Sequence, residues 1–585
     1  MHKLSRVIIL LSGIVIFTAQ VSLAQEASSS TAQVEAQQLE QRKPIERELK
    51  AGETHAYKIT LEAGQFLNAA ANQRGIDVVV RIFAPDGSKI AEIDSPNGTQ
   101  GDEPIALEAK TAGTYRIEIA SLDKDAKPGR YEIRINELLS AKDYAARLAE
   151  NRRKQQASIA WLKANAITIK TVEAGNGFQD LQPLKKVFKD TRFVGLGEET
   201  HGTREFFQFK HRMLEFLVRE MGFRVFAIEA SYAACQNIND YVMGKTDDGA
   251  KALDSQGFWT WNTEEVRAMM DWMRKYNQSV PVDRRVKFVG FDIQNNDSGK
   301  EKLLAYLKRV APERAARTET FFKVNDQELS NTAFSGKGDK AKDALAKFVE
   351  LKNQYNDLFV FLEINGANLA TKSNAAEYEQ MREYARVVAQ YIDAYSRRDL
   401  GSVVQRDLYM ADNFRRLVER EPAGTRFVVW AHNGHISTTD NDGAYPTFGY
   451  HLRRFYGKDY YALGFSFNQG SFQSREAQPK DPSKRMLMSF TATAAPAESI
   501  DWYLAQTGAK ILLVDFRSSR KNVEIGEWLA APHPMRSVGS TYAPASEGSS
   551  FALTTLSKEY DGLFFIDTAT RARPNASVKN VASAQ

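Results

Sequence analysis

Four apolar segments of this chain are each followed by ionisable residues, and this arrangement constrains the fold more than any other feature. The segments, which we predict to be strands, cover residues 192–196, 225–228, 286–290 and 427–430. Between the first two, apolar residues recur at helical spacing: Phe206, Phe209, Met213, Leu214 and Leu217. A strand, a helix and a second strand in close succession form a parallel pair with its crossover. The sequence therefore predicts an α/β fold with a parallel central sheet flanked by helices.

The ionisable residues stand where the predicted strands end. In strand order they are Glu198 and His201, then Glu229, then Asp292, and finally His432 and His435. Ligands of parallel α/β sheets bind beyond the carboxyl ends of the strands. We therefore expect these side chains to meet at one edge of the sheet. A fifth predicted strand, 511–514, ends in Asp515 and Arg517, which we expect at the same edge.

The residue types at this edge suit hydrolysis. Histidine titrates near neutral pH and can take a proton from water. A neighbouring carboxylate fixes the histidine tautomer, and a second histidine or a cation stabilises negative charge on a carbonyl oxygen. Gly195, Gly197 and Gly202 are expected to let the backbone turn tightly and approach a substrate. Thr203 is expected to cap the following helix, with the helix amides facing the site.

The chain as a whole divides into segments of different character. We predict a signal peptide over 1–24, a flexible lead-in over 25–43, a β-sandwich over 44–137, a helical linker over 138–170, the α/β domain over 171–573 and a tail over 574–585. Lys3 and Arg6 precede an apolar run that is too short to span a bilayer, and Ser22-Leu23-Ala24 suits a signal peptidase. We expect a periplasmic or secreted protein with no stable membrane insertion after signal cleavage. The alternative is an N-terminal membrane anchor.

Two further segments have recognisable patterns. Residues 44–137 contain short alternating strands separated by Gly, Pro, Asn and Asp turns, and they resemble the pre-peptidase C-terminal type of accessory domain. Residues 300–400 are predicted to be an inserted helical subdomain. One of its helix faces carries Leu351, Tyr355, Leu358, Phe361 and Leu362. Cys235 is the only cysteine, and we predict that it is a core residue.

The α/β segment resembles the erythromycin esterase family. The matching motifs lie at residues 197–207, 227–230, 239–242, 290–294, 406–411, 429–435, 534–539 and 560–563. Members of this family open the macrolactone ring of macrolide antibiotics by adding water. Other members are similar to succinoglycan biosynthesis proteins and have no settled substrate.

The resemblance implies a set of functional residues. The implied catalytic residues are Glu198, His201, Glu229 and His432. We expect the substrate to contact His435, Lys210, Asp292 and Arg204. Lys210 stands where the family usually has an arginine, and lysine lacks the planar two-pronged donor. Glu199 replaces a common alanine or proline and is expected to add negative charge beside the site.

The predicted function is that of an exported hydrolase of the erythromycin esterase type, acting on an ester or lactone, with macrolides among the candidate substrates. His201 would be the general base, oriented by Glu198 or Glu229, and His432, with Lys210, would stabilise the oxyanion. No cofactor or metal is predicted. The alternatives are a metal-dependent hydrolase, whose zinc ligands would be the same acids and histidines, a non-catalytic envelope or polysaccharide-associated binding protein, and a transferase acting on envelope sugars.

The predicted partner is a small-molecule ester or lactone. A net charge of +5 on 585 residues is small. Nucleic-acid binding usually requires a concentrated basic face, so we predict no nucleic-acid partner. The sequence predicts no particular oligomeric state.

Overall fold

The computed structural model describes most of the chain. The described residues are 36–95, 97–335, 338–395, 400–477, 487–520, 522–578 and 581–583. They belong to two compact units, Met1–Gln156 and Ala157–Gln585, called here the first and the second unit. The predicted signal peptide lies outside the described residues. Among the helices of the described ranges, none has the length and hydropathy of a membrane-spanning helix.

The first unit is an all-β structure of two sheets. Its strands are β1 (Gln37–Gln38), β2 (Ile45–Leu49), β3 (Thr54–Leu61), β4 (Phe66–Arg74), β5 (Val78–Phe83), β6 (Lys89–Ile93), β7 (Gln100–Glu108), β8 (Gly113–Ser121) and β9 (Gly129–Leu139). One sheet has the order β1-β3-β8-β5-β6 and the other β2-β9-β4-β7. The predicted turns contain Gly52, Gly64 and Gly87, whose φ angles of 77°, 81° and 87° favour glycine.

The two sheets of the first unit share one core. Val80 and Ile117 come from one sheet, Leu67 and Ile133 come from the other, and all four side chains are fully buried. The all-β character predicted for residues 44–137 is therefore confirmed. The first strand, however, lies within the segment predicted to be a flexible lead-in, and it pairs with β3.

The second unit is built on an eleven-stranded mixed sheet. Its strands are β10 (Ile167–Thr168), β11 (Phe193–Leu196), β12 (Val225–Ser231), β13 (Lys287–Asp292), β14 (Phe427–Trp430), β15 (Tyr460–Glu476), β16 (Leu487–Ala492), β17 (Ile511–Asp515), β19 (Thr541–Tyr542), β21 (Gly562–Ala569) and β22 (Val581–Ser583). The strands β18 (His533–Arg536) and β20 (Phe551–Thr554) form a separate antiparallel pair.

The centre of this sheet is parallel, as predicted. The strands β15, β11, β14, β12 and β13 are successive neighbours, and every pair among them is parallel. The strand β14 enters between β11 and β12, although it follows them in the chain by about two hundred residues. The carboxyl ends of the four predicted strands therefore lie side by side.

The fifth predicted strand differs from the expectation. It is β17, and it pairs antiparallel with β21, which is itself parallel to β15. Its carboxyl end consequently lies at the opposite edge of the sheet. The expectation that Asp515 and Arg517 join the other ionisable residues is therefore wrong. There, the Tyr461 hydroxyl donates to Asp515, and Arg517 pairs with Asp561.

The described residues form eighteen α-helices. They are α1 (Ala141–Asn165), α2 (Leu184–Val187), α3 (Arg204–Met221), α4 (Cys235–Val242), α5 (Gly249–Asp254), α6 (Glu264–Gln278), α7 (Asp297–Val310), α8 (Pro312–Phe322), α9 (Asp326–Ser335), α10 (Asp339–Ile364), α11 (Gly366–Lys372), α12 (Ala375–Ala394), α13 (Leu400–Glu419), α14 (Asn433–Ile436), α15 (Phe448–Tyr456), α16 (Ile500–Ala505), α17 (Val523–Ala530) and α18 (Leu556–Glu559).

Helices α7 to α13 lie between β13 and β14 in the chain and form the predicted helical subdomain. On its predicted face, Leu351, Tyr355, Leu358 and Leu362 are buried in a core of its own, and Phe361 is partly buried. The five apolar residues predicted to line α3 are also fully buried. Cys235 is buried as well, as the sequence predicted.

Candidate active site

The structure brings together the acids and histidines that follow the four predicted strands. β11 leads to Glu198 and His201, β14 leads to His432 and His435, Glu229 lies near the end of β12, and Asp292 is the last residue of β13. Because these strands are parallel neighbours, the six side chains lie at one edge of the sheet. Their roles in catalysis remain predictions.

Both oxygens of the Glu198 carboxylate have hydrogen-bond partners within the site. Its Oε1 lies 2.6 Å from Nδ1 of His201, and its Oε2 accepts from Lys210 Nζ and Trp430 Nε1, both at 2.6 Å. Burial alone would raise the pKa of Glu198, but Lys210 and His201 hold it at about 2. Glu198 is therefore an ionised carboxylate that orients His201.

The edge of the His201 ring that faces away from Glu198 carries Nε2. Since Nδ1 donates to Glu198, the lone pair of the neutral ring is on Nε2, which makes no hydrogen bond to the described residues. The side chain is 12% exposed, and its ring centroid lies 4.9 Å from that of His432. The indole of Trp261 stands edge-on at 6.3 Å. This geometry is that of a histidine prepared to accept a proton at Nε2.

Lys210, which the sequence predicts to contact the substrate, is paired with Glu198. The side chain is fully buried. Its Nζ lies 4.0 Å from the centre of the Trp430 ring and 5.2 Å from that of Phe465. Burial lowers the pKa of Lys210 to about 8, and Glu198 opposes that shift. Lys210 therefore holds Glu198 from behind, in a position that suits support of the carboxylate rather than contact with a substrate.

His432 is held in one neutral tautomer. Its backbone N–H donates to Glu229 Oε2 at 2.8 Å, and its ring Nδ1 accepts from the backbone N–H of Gly434 at 3.2 Å. The ring proton therefore lies on Nε2, which faces the Val538 carbonyl oxygen at 3.3 Å. Burial, together with His201, lowers the pKa of His432 to about 4. At neutral pH this side chain is an uncharged N–H donor.

Arg406 is a site residue that the sequence reasoning missed. Its Nη2 donates to Glu229 Oε1 at 2.7 Å and to Asp292 Oδ2 at 2.8 Å, and its Nε donates to Asp292 Oδ1 at 3.0 Å. It comes from α13 and not from a strand end. The available signal was its position in the 406–411 motif, which the family resemblance already used.

His435 lies between two carboxylates. Its Nδ1 is 2.7 Å from Asp407 Oδ1, and its Nε2 is 3.2 Å from Glu229 Oε1. Arg406 Nη1 lies 2.9 Å from the same Nε2. Burial lowers the pKa of His435, but Asp407 and Glu229 outweigh that effect and raise it to about 10. Asp407 and Glu229 therefore favour the protonated form of His435, whereas Arg406 Nη1 can donate to Nε2 only when that nitrogen carries no proton.

Two residues predicted to contact substrate have other partners. Asp292 is fully buried, and it accepts from Arg406 and from the backbone N–H of Ile293 at 2.7 Å. It thus holds Arg406 and the chain after β13. Arg204 Nε lies 3.2 Å from Glu265 Oε1 of α6. Among the described contacts, none joins Arg204 to the acids and histidines of the site.

The expected negative charge at Glu199 is wrong. This carboxyl group is fully buried, and its Oε2 accepts from the backbone N–H of Phe467 at 2.8 Å. Burial and the nearby Asp501 raise the pKa of Glu199 well above its ordinary value. Glu199 is therefore a neutral acid. Its partner Asp501 comes from a segment some 300 residues away, which no local pattern could indicate.

The glycine-rich turn is needed for packing within the chain. A Cβ at Gly197 would lie 2.1 Å from Asn433 Oδ1, and one at Gly202 would lie 2.0 Å from the Gln473 carbonyl oxygen. These glycines therefore admit neighbouring segments, whereas the sequence suggested approach to a substrate. Thr203 occupies the N-cap position of α3, but its hydroxyl bonds to the Thr200 hydroxyl at 2.7 Å and not to the helix.

The comparisons with known proteins agree on one family. A family model described as erythromycin esterase matches residues 218–569, more than half of the chain. The chain belongs to the erythromycin esterase family. The matched segment includes Glu229, Arg406 and His432, and it begins after His201.

Within the described ranges, the structure has no group of three or more His, Cys, Asp or Glu side chains suited to holding a metal ion.

Individual relatives cover about 70% of this chain. Erythromycin esterase type II of Escherichia coli is 25% identical over 438 residues, which are 70% of this chain and 97% of the relative. A putative hydrolase of Bacillus subtilis is 25% identical over 443 residues, 70% of this chain and 90% of the relative. A solved Bacillus cereus structure is similar in fold, with a TM-score of 0.59 and 24% identity, over 72% of this chain and 99% of its own. Membership of the family supports a hydrolase.

Proposed function

We propose that this protein is an exported hydrolase of carboxylic esters or lactones, in which His201 removes a proton from water. The observation that carries the proposal is the hydrogen bond of 2.6 Å between Glu198 and Nδ1 of His201. It directs the basic Nε2 away from the carboxylate. Glu198 also stabilises the imidazolium that forms when the proton is transferred.

The proposed reaction has two steps. In the first, Nε2 of His201 takes a proton from water while the water oxygen attacks the carbonyl carbon, which gives a tetrahedral oxyanion. In the second, the bond from this carbon to the ester oxygen breaks, and the proton on His201 passes to the leaving alkoxide. The products are a carboxylic acid and an alcohol, which remain joined when the substrate is a lactone.

His432 is suited to stabilise the oxyanion. In hydrolases, one hydrogen-bond donor aimed at a developing oxyanion contributes about 3 kcal/mol to the stabilisation of the transition state, and the Nε2–H of His432 is such a donor. Its present acceptor, the Val538 carbonyl oxygen at 3.3 Å, is a long contact that an oxyanion can replace. Because Lys210 lies behind Glu198, we assign it no direct part in this step.

Export and a macrolide substrate complete the proposal. The basic residues, apolar run and small residues at the start of the sequence support export. Membership of the family, and a relative named erythromycin esterase type II, support a macrolide lactone as the first substrate to test. An exported macrolide hydrolase would contribute to antibiotic resistance by opening the drug outside the cytoplasm.

The test is a hydrolysis screen of the purified mature chain against macrolides and simple aryl esters, in which the gain of one water is read by mass. We expect His201→Asn to abolish turnover, because asparagine can still donate to Glu198 but has no basic nitrogen. His533→Asn is the matched control, since that ring contacts the Trp528 carbonyl oxygen instead. Turnover retained in His201→Asn would contradict the role of His201.

Two other outcomes would favour the alternatives. Loss of activity on treatment with a chelator, with recovery on addition of Zn²⁺, would support a metal-dependent hydrolase. Absence of hydrolysis across the whole panel would favour a binding protein or a transferase. Sequencing the N-terminus of the protein recovered from the periplasm of an expressing bacterium would test export, and an uncleaved chain in the cytoplasm would contradict it.

A further inference from the structure

A single guanidinium connects three parts of the site. Arg406 contacts Glu229 of β12, Asp292 of β13 and, at 2.9 Å, the ring of His435. Its neighbour Asp407 contacts the other edge of that ring. Arg406 and Asp407 both belong to α13, so the inserted helical subdomain contributes directly to the sheet edge where the histidines lie.

The geometry uses the shape of arginine and not only its charge. Nε and Nη2 form a two-pronged pair with Asp292 at 3.0 and 2.8 Å, and Nη2 also donates to Glu229 at 2.7 Å. A lysine ammonium is a point donor and cannot occupy both planar positions at once. The planar fork therefore sets the orientation of the Glu229 carboxylate relative to β13.

The orientation of Glu229 is passed on to His432. One oxygen of Glu229 accepts from Arg406, and the other accepts from the backbone N–H of His432 at 2.8 Å. His432 in turn stands 4.9 Å from His201, measured between ring centroids. A rotation of the Glu229 carboxylate would therefore move the proposed oxyanion donor relative to the proposed base.

The charges around Arg406 also indicate that this residue positions Glu229 and His435. Three buried carboxylates, those of Glu229, Asp292 and Asp407, lie close to the two basic side chains Arg406 and His435. Removing Arg406 would take away the cation that pairs with Glu229 and Asp292, in a group of three carboxylates that are at most 5% exposed. Buried charges without partners rearrange or change protonation, so the positions of Glu229 and His435 depend on this arginine.

We propose that Arg406 is a positioning residue of the hydrolytic site, which holds Glu229 and His435 and, through Glu229, places His432 opposite His201. This inference rests on the proposed function. It assigns the helical subdomain a direct part in assembling the site.

The experiment compares Arg406→Ala and Arg406→Lys with the wild-type chain on an ester that the wild type hydrolyses. Arg386→Ala is the matched control. Arg386 is also a buried arginine of the helical subdomain, and it donates to Glu383 at 2.7 and 3.0 Å and to Asp412 at 3.0 Å. It contacts none of the site residues named above.

We expect Arg406→Ala to lower kcat about 100-fold with little change in KM, because a misplacement of about 1 Å costs that much. Added guanidinium, below the concentration that unfolds the protein, should restore part of kcat. Arg406→Lys should recover less than the added guanidinium, since it lacks the fork. Arg386→Ala should keep kcat within about twofold of the wild type and should not respond to guanidinium.

Three results for the Arg406 variants would overturn the inference. The first is a folded Arg406→Ala variant with the kcat of the wild type. The second is full recovery of kcat in Arg406→Lys, which would make the charge sufficient. The third is loss of kcat without any response to guanidinium in a folded variant. If Arg406→Ala does not fold, Asp292→Asn removes the two-pronged partner, and an unchanged kcat in that variant would overturn the inference. A wild type that hydrolyses no ester would overturn the proposed function itself. Failure of the proposed function is therefore distinguishable from failure of this inference.

Discussion

The ion pair between Lys210 and Glu198 gives the sharpest stability prediction. Lys210→Met keeps an unbranched side chain of similar length but leaves the Glu198 carboxylate buried without its cation. In the folded chain the pKa of Glu198 falls from 4.5 to about 2. At 1.36 kcal/mol for each tenfold change in acidity, its partners favour the ionised form by about 3 kcal/mol. We therefore expect Lys210→Met to lower the free energy of unfolding by about 3 to 5 kcal/mol.

A double-mutant cycle separates this effect from loss of packing. Glu198→Gln should also be strongly destabilising, because it leaves the Lys210 ammonium buried and unpaired. The double variant removes both charges, and replacement of a complete buried pair is often nearly neutral. We expect the double variant to be more stable than either single variant, with a coupling energy of about 3 kcal/mol.

Urea unfolding followed by tryptophan fluorescence can measure the cycle. All seven tryptophans lie between Trp161 and Trp528, within the second unit, so the signal reports the unit that contains the pair. Single variants that each cost less than about 1 kcal/mol, with additive effects in the double variant, would refute the reasoning.

The same pair predicts a dependence on pH. The pKa of Glu198 is lower in the folded chain than in the unfolded chain, so its contribution is complete above the unfolded value and is lost as the pH falls toward about 2. In Lys210→Met the folded pKa of Glu198 should rise. The difference in stability between wild type and variant should therefore shrink as the pH falls below about 4, and a difference that grows would contradict this assignment.

Three further predictions concern Glu199, Gly202 and Cys235. Glu199→Gln should keep or raise the urea midpoint at pH 7, since burial raises the pKa of Glu199 and keeps it neutral; a clear loss of stability would show that its charge is needed. Gly202→Ala should destabilise by several kcal/mol, because the added Cβ would lie 2.0 Å from a backbone oxygen, whereas Gly526→Ala, with 3.6 Å to its nearest neighbour, should not; equal midpoints would contradict the packing argument. Cys235 should react with a thiol reagent only after unfolding, because it is buried and its pKa is raised; labelling of the native chain would contradict this.

The parallel centre of the sheet was predictable because apolar runs followed by acids and histidines are local signals. The direction of β17 was not, since periodicity indicates a strand but not its direction. β15 was missed because its second half, which includes Asn468, Gln469 and Gly470, breaks the apolar run that its first half begins. The local sequence therefore indicates where a strand forms, but it does not indicate which strand it pairs with or in which direction.

From the pattern of residue types alone, without the family resemblance, the site could be predicted only where its residues follow strands. Arg406 lies on a helix, 177 residues from Glu229 and 114 from Asp292. An arginine on a helix is usually a solvent-exposed residue, so apart from the 406–411 motif nothing local distinguishes it. The charge state of Glu199 likewise depends on a distant carboxyl group. Pairings of this kind depend on the tertiary structure, which a single sequence does not display.

The position of β14 between β11 and β12 has a consequence for synthesis. A ribosome releases β11 and β12 long before Phe427 of β14 emerges to pair with Phe193 and Val225. Until then β14 is missing from its place between the two earlier strands. The edges of β11 and β12 that pair with β14 in the folded chain are open to mispairing. The sheet edge that carries the acids and histidines is therefore completed late in the growth of the nascent chain. Fragments that stop before β14 should need chaperone protection, and they should lack the candidate site.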